Sequence, residues 1–186
     1  MSSADGHVGG RLGAFDARAD RLLEPLRRSP VTARVFRFAS EVGDFSLVWH
    51  VIGLVYGLGI RRELDEVVVF ALAMAAESLV LNQGIKRLFR RRRPTVAGDP
   101  RTPVRVPRTS SFPSGHASSA AFACSLLVVW TSAPWAPLWI AIALVVALSR
   151  AVVRIHFASD VLAGVVTGSV LAQIALLSGA VDALRH

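Results

Sequence analysis

Five apolar stretches, at 45–60, 67–85, 114–131, 138–155 and 161–178, stand between clusters of charged residues, glycines and prolines. Two windows lose their charge altogether: 109–149 and 161–181 contain no Asp, Glu, Lys or Arg. A twenty-residue helix is about 30 Å long, the thickness of the hydrocarbon layer, so these windows read as membrane spans. Lipid offers no partner to an open backbone N–H or C=O, which makes each span a helix. The pattern therefore predicts an all-α, polytopic membrane bundle of about five transmembrane helices.

Ahead of the first span lies an arm, 1–44, with a different pattern. Phe15, Ala19, Leu22, Leu23 and Leu26 recur at helical spacing, and Arg18, Asp20, Arg21 and Glu24 fall elsewhere. This predicts an amphipathic helix lying in the membrane interface. Pro25 and Pro30 are expected to break it from a second piece, 31–42. The arm lacks the apolar core and small-residue cleavage site of a signal peptide and is expected to be retained. The catalytic region is placed at 45–178 and a short tail at 179–186. The links 61–66 and 132–137 are tight, whereas 86–113 is long and rich in Arg and Pro, the character of a functional loop.

Composition agrees with a membrane protein. Of 186 residues, 53% are hydrophobic and 18% charged, against about 25% charged in a soluble domain. The net charge of +8 comes almost wholly from arginine, Lys86 being the only lysine. So basic a chain raises nucleic acid as a partner, but the uncharged windows argue for a bilayer partner and against nucleic acid. With five spans the termini lie on opposite sides. Eighteen cations then share the face of the arm and the long loop, against three on the other. The positive-inside rule makes the crowded face cytoplasmic in a multi-pass cell-membrane protein. Trp130, Trp135 and Trp139 cluster at the other face, as an aromatic belt would. The lone Cys124 rules out an intramolecular disulfide and a cysteine metal site.

Three polar clusters fall on that crowded face. Lys86 and Arg93-Pro94 lie seven residues apart, two turns of one helical face if the second span continues, so that both cations converge on one anion. A basic patch touching anionic headgroups is the alternative. Pro113-Ser114-Gly115-His116 marks a loop entering a span, where free N–H groups make an anion site. A simple capped helix would read the same way. Ser149-Arg150, His156 and Asp160 follow: Arg150 supplies a fork for phosphate oxygens, and a carboxylate four residues from a histidine can fix its tautomer. A snorkelling arginine beside a capped helix is the alternative here.

In this order and spacing, Lys86-x6-Arg93-Pro94, Pro113-Ser114-Gly115-His116 and Ser149-Arg150-x5-His156-x3-Asp160 resemble the three signature motifs of the type 2 phosphatidic acid phosphatase superfamily, over about 46–178. Membrane members commonly have six spans; here the arm stands in place of the first. The resemblance implies a metal-independent lipid phosphate phosphatase without cofactor. His156 would be the nucleophile, forming a phosphohistidine, Asp160 would hold its distal nitrogen, and His116 would be the general acid. Lys86, Arg93, Ser114, Gly115 and Arg150 would bind the phosphate. The substrate would be a phosphorylated lipid of polyprenyl or glycerolipid type, including a polyprenyl-phosphoryl sugar phosphate of cell-wall synthesis. Vanadium haloperoxidases share these motifs, and a noncatalytic lipid-binding protein is the remaining alternative. Arg90, Arg91 and Arg92 either grip a diphosphate or headgroup or touch lipid; Glu77, Asn82 and Gln83 read either as functional intramembrane residues or as contacts between helices or around bound water, and His50 as a packing or interfacial residue.

Overall fold

The computed structural model describes residues 10–95, 101, 104–106 and 109–185. All regular structure among them is helical. The arm forms α1 (Arg11–Arg28) and α2 (Pro30–Val42), and α3 (Leu47–Leu54) continues through a wider π-helical turn, Val55–Arg61. α4 (Leu64–Leu79) runs on through Val80–Gly84 and a tight turn, Ile85–Leu88. α5 (Gly115–Trp130), α6 (Ala136–Val152) and α7 (Ala158–Leu177) complete the bundle. Each apolar stretch of the sequence is thus a helix. Residues 1–9 of the expected arm and 186 of the tail lie outside the described residues.

Among the described residues, two helical stretches are long and apolar enough to cross a bilayer unaided, Ala133–Val152 and Ala158–Leu177. A third counts if Pro30–Val42 and Asp44–Arg61, bent by 65°, form one broken span. α5 has 16 residues, about 24 Å at the usual helical rise, and α4 carries Asp65, Glu66 and Glu77. The protein is an all-helical membrane protein in which five apolar helices share the bundle and two or three are long and apolar enough to cross by themselves.

α5 forms the centre. It buries residues on every side, from Ala117 through Ser118, Phe122 and Leu126 to Trp130. α7 lies closest to it. A Cβ at Gly164 would stand 2.4 Å from Ser114 O, and one at Gly168 2.0 Å from Ser118 O, so both glycines are there to let two backbones touch. At the far end Trp130 is a core residue and not part of an interfacial belt. It packs on Tyr56 and Phe70 and donates Nε1–H to Glu66 at 2.8 Å. Trp135 alone of the three is exposed there, stacked 6.2 Å from Trp139.

The arm departs from its expected form at one point. Pro25 sits inside α1 without ending it, and the break falls at Ser29, whose hydroxyl accepts the Thr32 N–H while Pro30 opens α2. An interior proline costs about 3 kcal/mol. The anchoring of α1 beside it offsets that: buried Arg27 donates to Val152 O at 2.8 Å and Ala151 O at 3.0 Å, closing the end of α6. The apolar side of α1 faces outward, as an interfacial helix requires. Asp16 and Arg27 are buried while Leu12, Phe15 and Leu22 are exposed, and α2 turns Val31, Val35 and Phe38 outward. Polar groups bind α1 to the bundle, leaving its apolar side to lipid.

Candidate active site

Beyond α6 the chain makes a tight turn in which Arg154 adopts a left-handed conformation, φ 60°. The N–H groups of Ile155 and His156 both return to Arg150 O, at 3.3 and 3.1 Å, which folds His156 back over the end of α6. Asp20 of α1 holds Arg154 there, at 2.6 Å. α7 then begins, and Asp160 in its first turn accepts the Phe157 N–H at 2.9 Å. Its backbone oxygen accepts the N–H of Ser114, at 3.0 Å. One residue therefore ties the start of α7 to the start of α5, and the second and third motifs meet through it.

His156 is almost wholly buried. Arg93 Nη1 approaches its Nε2 to 3.1 Å while donating to Ile155 O at 2.8 Å. A guanidinium only donates, so Nε2 is the acceptor and the ring proton sits on Nδ1. Nδ1 faces Ser111 Oγ at 3.4 Å and Asp160 Oδ2 at 3.7 Å, and the Ser111 hydroxyl donates to the same carboxylate oxygen at 2.5 Å. Ser111 thus stands between histidine and aspartate. Burial, helped by the charges of Arg93 and Arg150 and opposed by Asp160, pushes the imidazole down to about 3. This environment favours the neutral ring, whose Nε2 lone pair rests on the Arg93 guanidinium.

The cations come from three directions. The helical path expected between Lys86 and Arg93 ends at Leu88, and Phe89 is already extended. The two charges converge because the chain turns across the bundle and not because they share a helix face. Lys86 is buried beside the first turn of α5, its Nζ 3.2 Å from where a Gly115 Cβ would lie. Burial first, then the Arg93 and Arg150 charges, pull its ammonium down to about 8. Arg150 is buried, with Nη1 held by Ser40 O at 3.2 Å and by the Ser40 hydroxyl, while Nε and Nη2 have no partner among the described residues. Ser114 Oγ is likewise buried and unpartnered. A buried donor left open costs about 1–3 kcal/mol, more when charged. Orphans at positions whose residue types suit phosphate are what an anion pocket would leave.

His116, in the first turn of α5, places Nε2 3.0 Å from Asp44 Oδ1. Several residues around the site carried no signal in the sequence. Ser111 precedes the second motif by two residues, Ser40 and Asp44 lie at the end of the arm, and Arg91 sits inside a run of four arginines. Arg91 bridges Asp160 at 2.6 Å, Asp16 at 2.7 Å and Ser159 Oγ at 2.8 Å, and lies over the Phe157 ring. Those bonds make it a bridge between α1 and the start of α7. Arg90 and Arg92 line, with Arg93 and His156, a cavity of about 740 Å³ between α1 and the turn after α6. Glu77 accepts a hydrogen bond from Ser118 of α5. Among the described residues, no group of three or more His, Cys, Asp or Glu is arranged to hold a metal ion.

An unprotonated imidazole nitrogen, ringed by inward-facing cations at the ends of membrane helices, defines a class: an integral membrane enzyme that works on a phosphoryl group. The chain belongs to the PAP2 superfamily, whose family profile matches residues 66–180, and is a lipid phosphate hydrolase of that family. It is 33% identical over 141 residues, 74% of this chain and 75% of the relative, to the decaprenylphosphoryl-5-phosphoribose phosphatase of Mycobacterium tuberculosis. Its fold is similar to the crystal structure of a transmembrane PAP2-type phosphatidylglycerolphosphate phosphatase from Bacillus subtilis, with TM-score 0.68 and 23% identity over 95% of this chain and 90% of that one.

Proposed function

We propose that the enzyme dephosphorylates a polyprenyl-phosphoryl sugar phosphate, the kind of substrate named for its mycobacterial relative. The observation that carries a phosphatase reading of the site is the orphaned donor set: Arg150 Nε and Nη2 and Ser114 Oγ are buried and unpartnered among the described residues. The cations Lys86 and Arg93 lie beside them, Arg93 resting on the lone pair of His156. In this reading a phosphate takes the place of the Arg93 contact. His156 Nε2 forms a bond to phosphorus as the bond to the sugar oxygen breaks, and His116 gives that oxygen its proton. Asp160, with Ser111, keeps the Nδ1 proton in place. Water then attacks the phosphohistidine, His116 taking its proton, and inorganic phosphate leaves. Lys86, Arg93, Arg150, Ser114 and the Gly115 N–H balance the charge on the equatorial oxygens, so the chemistry requires no metal.

Residues 45–178 are proposed as the catalytic unit, with the arm 1–44 seated against it and 179–186 as a tail. The charge asymmetry supports a site on the cytoplasmic face of the cell membrane, where a lipid-linked sugar phosphate is presented by the bilayer itself. No nucleic-acid partner is proposed. The test is phosphate release by the purified protein in detergent with EDTA present. The panel comprises polyprenyl-phosphoryl ribose phosphate, polyprenyl diphosphate, phosphatidylglycerol phosphate and phosphatidic acid. Turnover of the first above the others supports the substrate, while a reaction that stops in EDTA overturns the metal-free mechanism. A C-terminal reporter found in the cytoplasm would overturn the sidedness.

A further inference from the structure

We propose that Asp44 is a positioning residue for His116. The inference rests on the reading of His116 as the general acid. Asp44 Oδ1 lies 3.0 Å from His116 Nε2, an ion-pair contact without the angle of a hydrogen bond, and that nitrogen is sealed from solvent although the side chain as a whole remains 14% exposed. With Nε2 facing the carboxylate, Nδ1 is the nitrogen open to a substrate. The carboxylate orients the His116 ring as Asp160 orients that of His156, and here its charge also opposes loss of the proton that a general acid must give up.

The chain around Asp44 is shaped for this contact. Gly43 packs flat on the imidazole, and a Cβ there would stand 2.7 Å from His116 Cδ2 and 3.1 Å from a Val146 methyl. The next two residues, Phe45 and Ser46, both adopt left-handed conformations, φ 54° and 59°, although neither is glycine. Such strain persists only where the surroundings hold it, and it collects at functional sites. Here it falls at the 65° bend that delivers the carboxylate to the bundle. Three residues before Gly43, Ser40 holds Arg150. The join between the arm and α3 thus serves one histidine and one arginine of the same pocket.

The step at issue is proton transfer. As the phosphorus–oxygen bond breaks, the electron pair goes to the leaving oxygen, which takes the His116 proton. An alkyl or sugar oxygen is too basic to leave without it, whereas a nitrophenolate leaves unaided. Asp44→Asn and His116→Ala would therefore be assayed in parallel, as full-length proteins in detergent. The substrates are the best wild-type alkyl phosphate and the best wild-type nitrophenyl phosphate, with inhibition by orthovanadate as a gauge of the phosphate pocket. For Asp44→Asn the expected result is a fall of about 100-fold in kcat on the alkyl substrate. The loss on the aryl substrate should be under about tenfold, KM and vanadate inhibition unchanged, and Asp44→Glu should recover part of the activity. Equal losses on both substrates, or a weakened vanadate response, would mean that Asp44 merely holds the fold. If His116→Ala itself loses both substrates equally, the general-acid reading fails. If His116→Ala discriminates and Asp44→Asn does not, only the present inference fails.

Discussion

Arg91 meets Asp160 at 2.6 Å, and through that contact the N-terminal arm reaches the carboxylate beside His156. The other Arg91 nitrogen lies 2.7 Å from Asp16, which also accepts the Ser159 N–H at 2.9 Å and its hydroxyl at 2.8 Å. Both carboxylates are buried, and Arg91 is mostly so. Removing one partner of a buried pair costs about 3–5 kcal/mol because it strands the other. Arg91→Gln strands two. It should lower the unfolding temperature in detergent more than Asp16→Asn, whose amide oxygen still accepts from Ser159. Thermal unfolding of the two variants checks this, and an Arg91→Gln protein as stable as wild type would show that the bridge carries no weight.

The two histidines differ in what their loss should do. His156→Ala removes the atom that bonds to phosphorus and should abolish turnover while the protein still inserts in the membrane and folds. His116→Ala leaves that atom and removes an acid, a loss of about 10²- to 10⁴-fold. Single-turnover assays with radiolabelled phosphate should find acid-labile phosphoenzyme in His116→Ala and none in His156→Ala. Residual turnover of His156→Ala near the wild-type rate would sink the nucleophile assignment.

Two groups limit the reaction on the alkaline side: His116, which must hold a proton to act as the acid, and Lys86. Burial and the neighbouring arginines bring its ammonium down to about 8, and the charged form is the one that attracts phosphate. As pH rises through 8 the free enzyme loses this cation, so kcat/KM should fall about tenfold per unit beyond it, chiefly through KM. Lys86→Arg keeps its charge at every accessible pH, and the Lys86 share of the alkaline limb should move up by more than one unit. His156, held near 3, should impose no acid limb above about pH 4. A pH profile of kcat/KM for both proteins decides, and an unchanged limb in Lys86→Arg would assign it to His116.

The helices were legible from the sequence because a bilayer admits so few alternatives: an uncharged window such as 161–181 must be a helix, and α7 is one. The spacing of the motifs was legible for a similar reason, since Lys86, His116 and His156 each follow or begin a span and so end near one surface. The partners were not legible. Ser111, Asp44 and Asp16 act across gaps of 45, 72 and 75 residues in the chain, and a lone serine or aspartate has no period to betray it. Apolar spacing marked the outward side of the arm but not how the arm docks. Phe15 and Leu22 do mark one face of a helix, but the opposite, charged face is the one that docks, through Asp16, Asp20 and Arg27. In a membrane protein the apolar stripe of such a helix points to lipid, reversing the rule for soluble domains. Trp130 was lost to the same ambiguity, an indole near a span end serving the core as well as an interface.

The contact between α5 and α7 carries the last prediction. Gly168 leaves so little room that a Cβ would fall 2.0 Å from Ser118 O, with Ser118 C and Cα at 2.8 and 2.9 Å. These are backbone atoms, which no rotamer change can move aside. Gly168→Ala must therefore push the helices apart. Overpacking of a core costs about 1–3 kcal/mol where side chains can adjust, and the upper end is expected here. The displacement also reaches the site, because the same helix pair holds Ser114 N to Asp160 O at 3.0 Å, one helical segment away. Gly168→Ala should thus lose stability and activity together. Ala172→Gly, one turn further from the site on the same buried face, should lose stability alone. Unfolding temperature and kcat measured on the two variants separate these effects. Full activity in a destabilised Gly168→Ala would show that the close approach of α5 and α7 serves packing and not the geometry of the site.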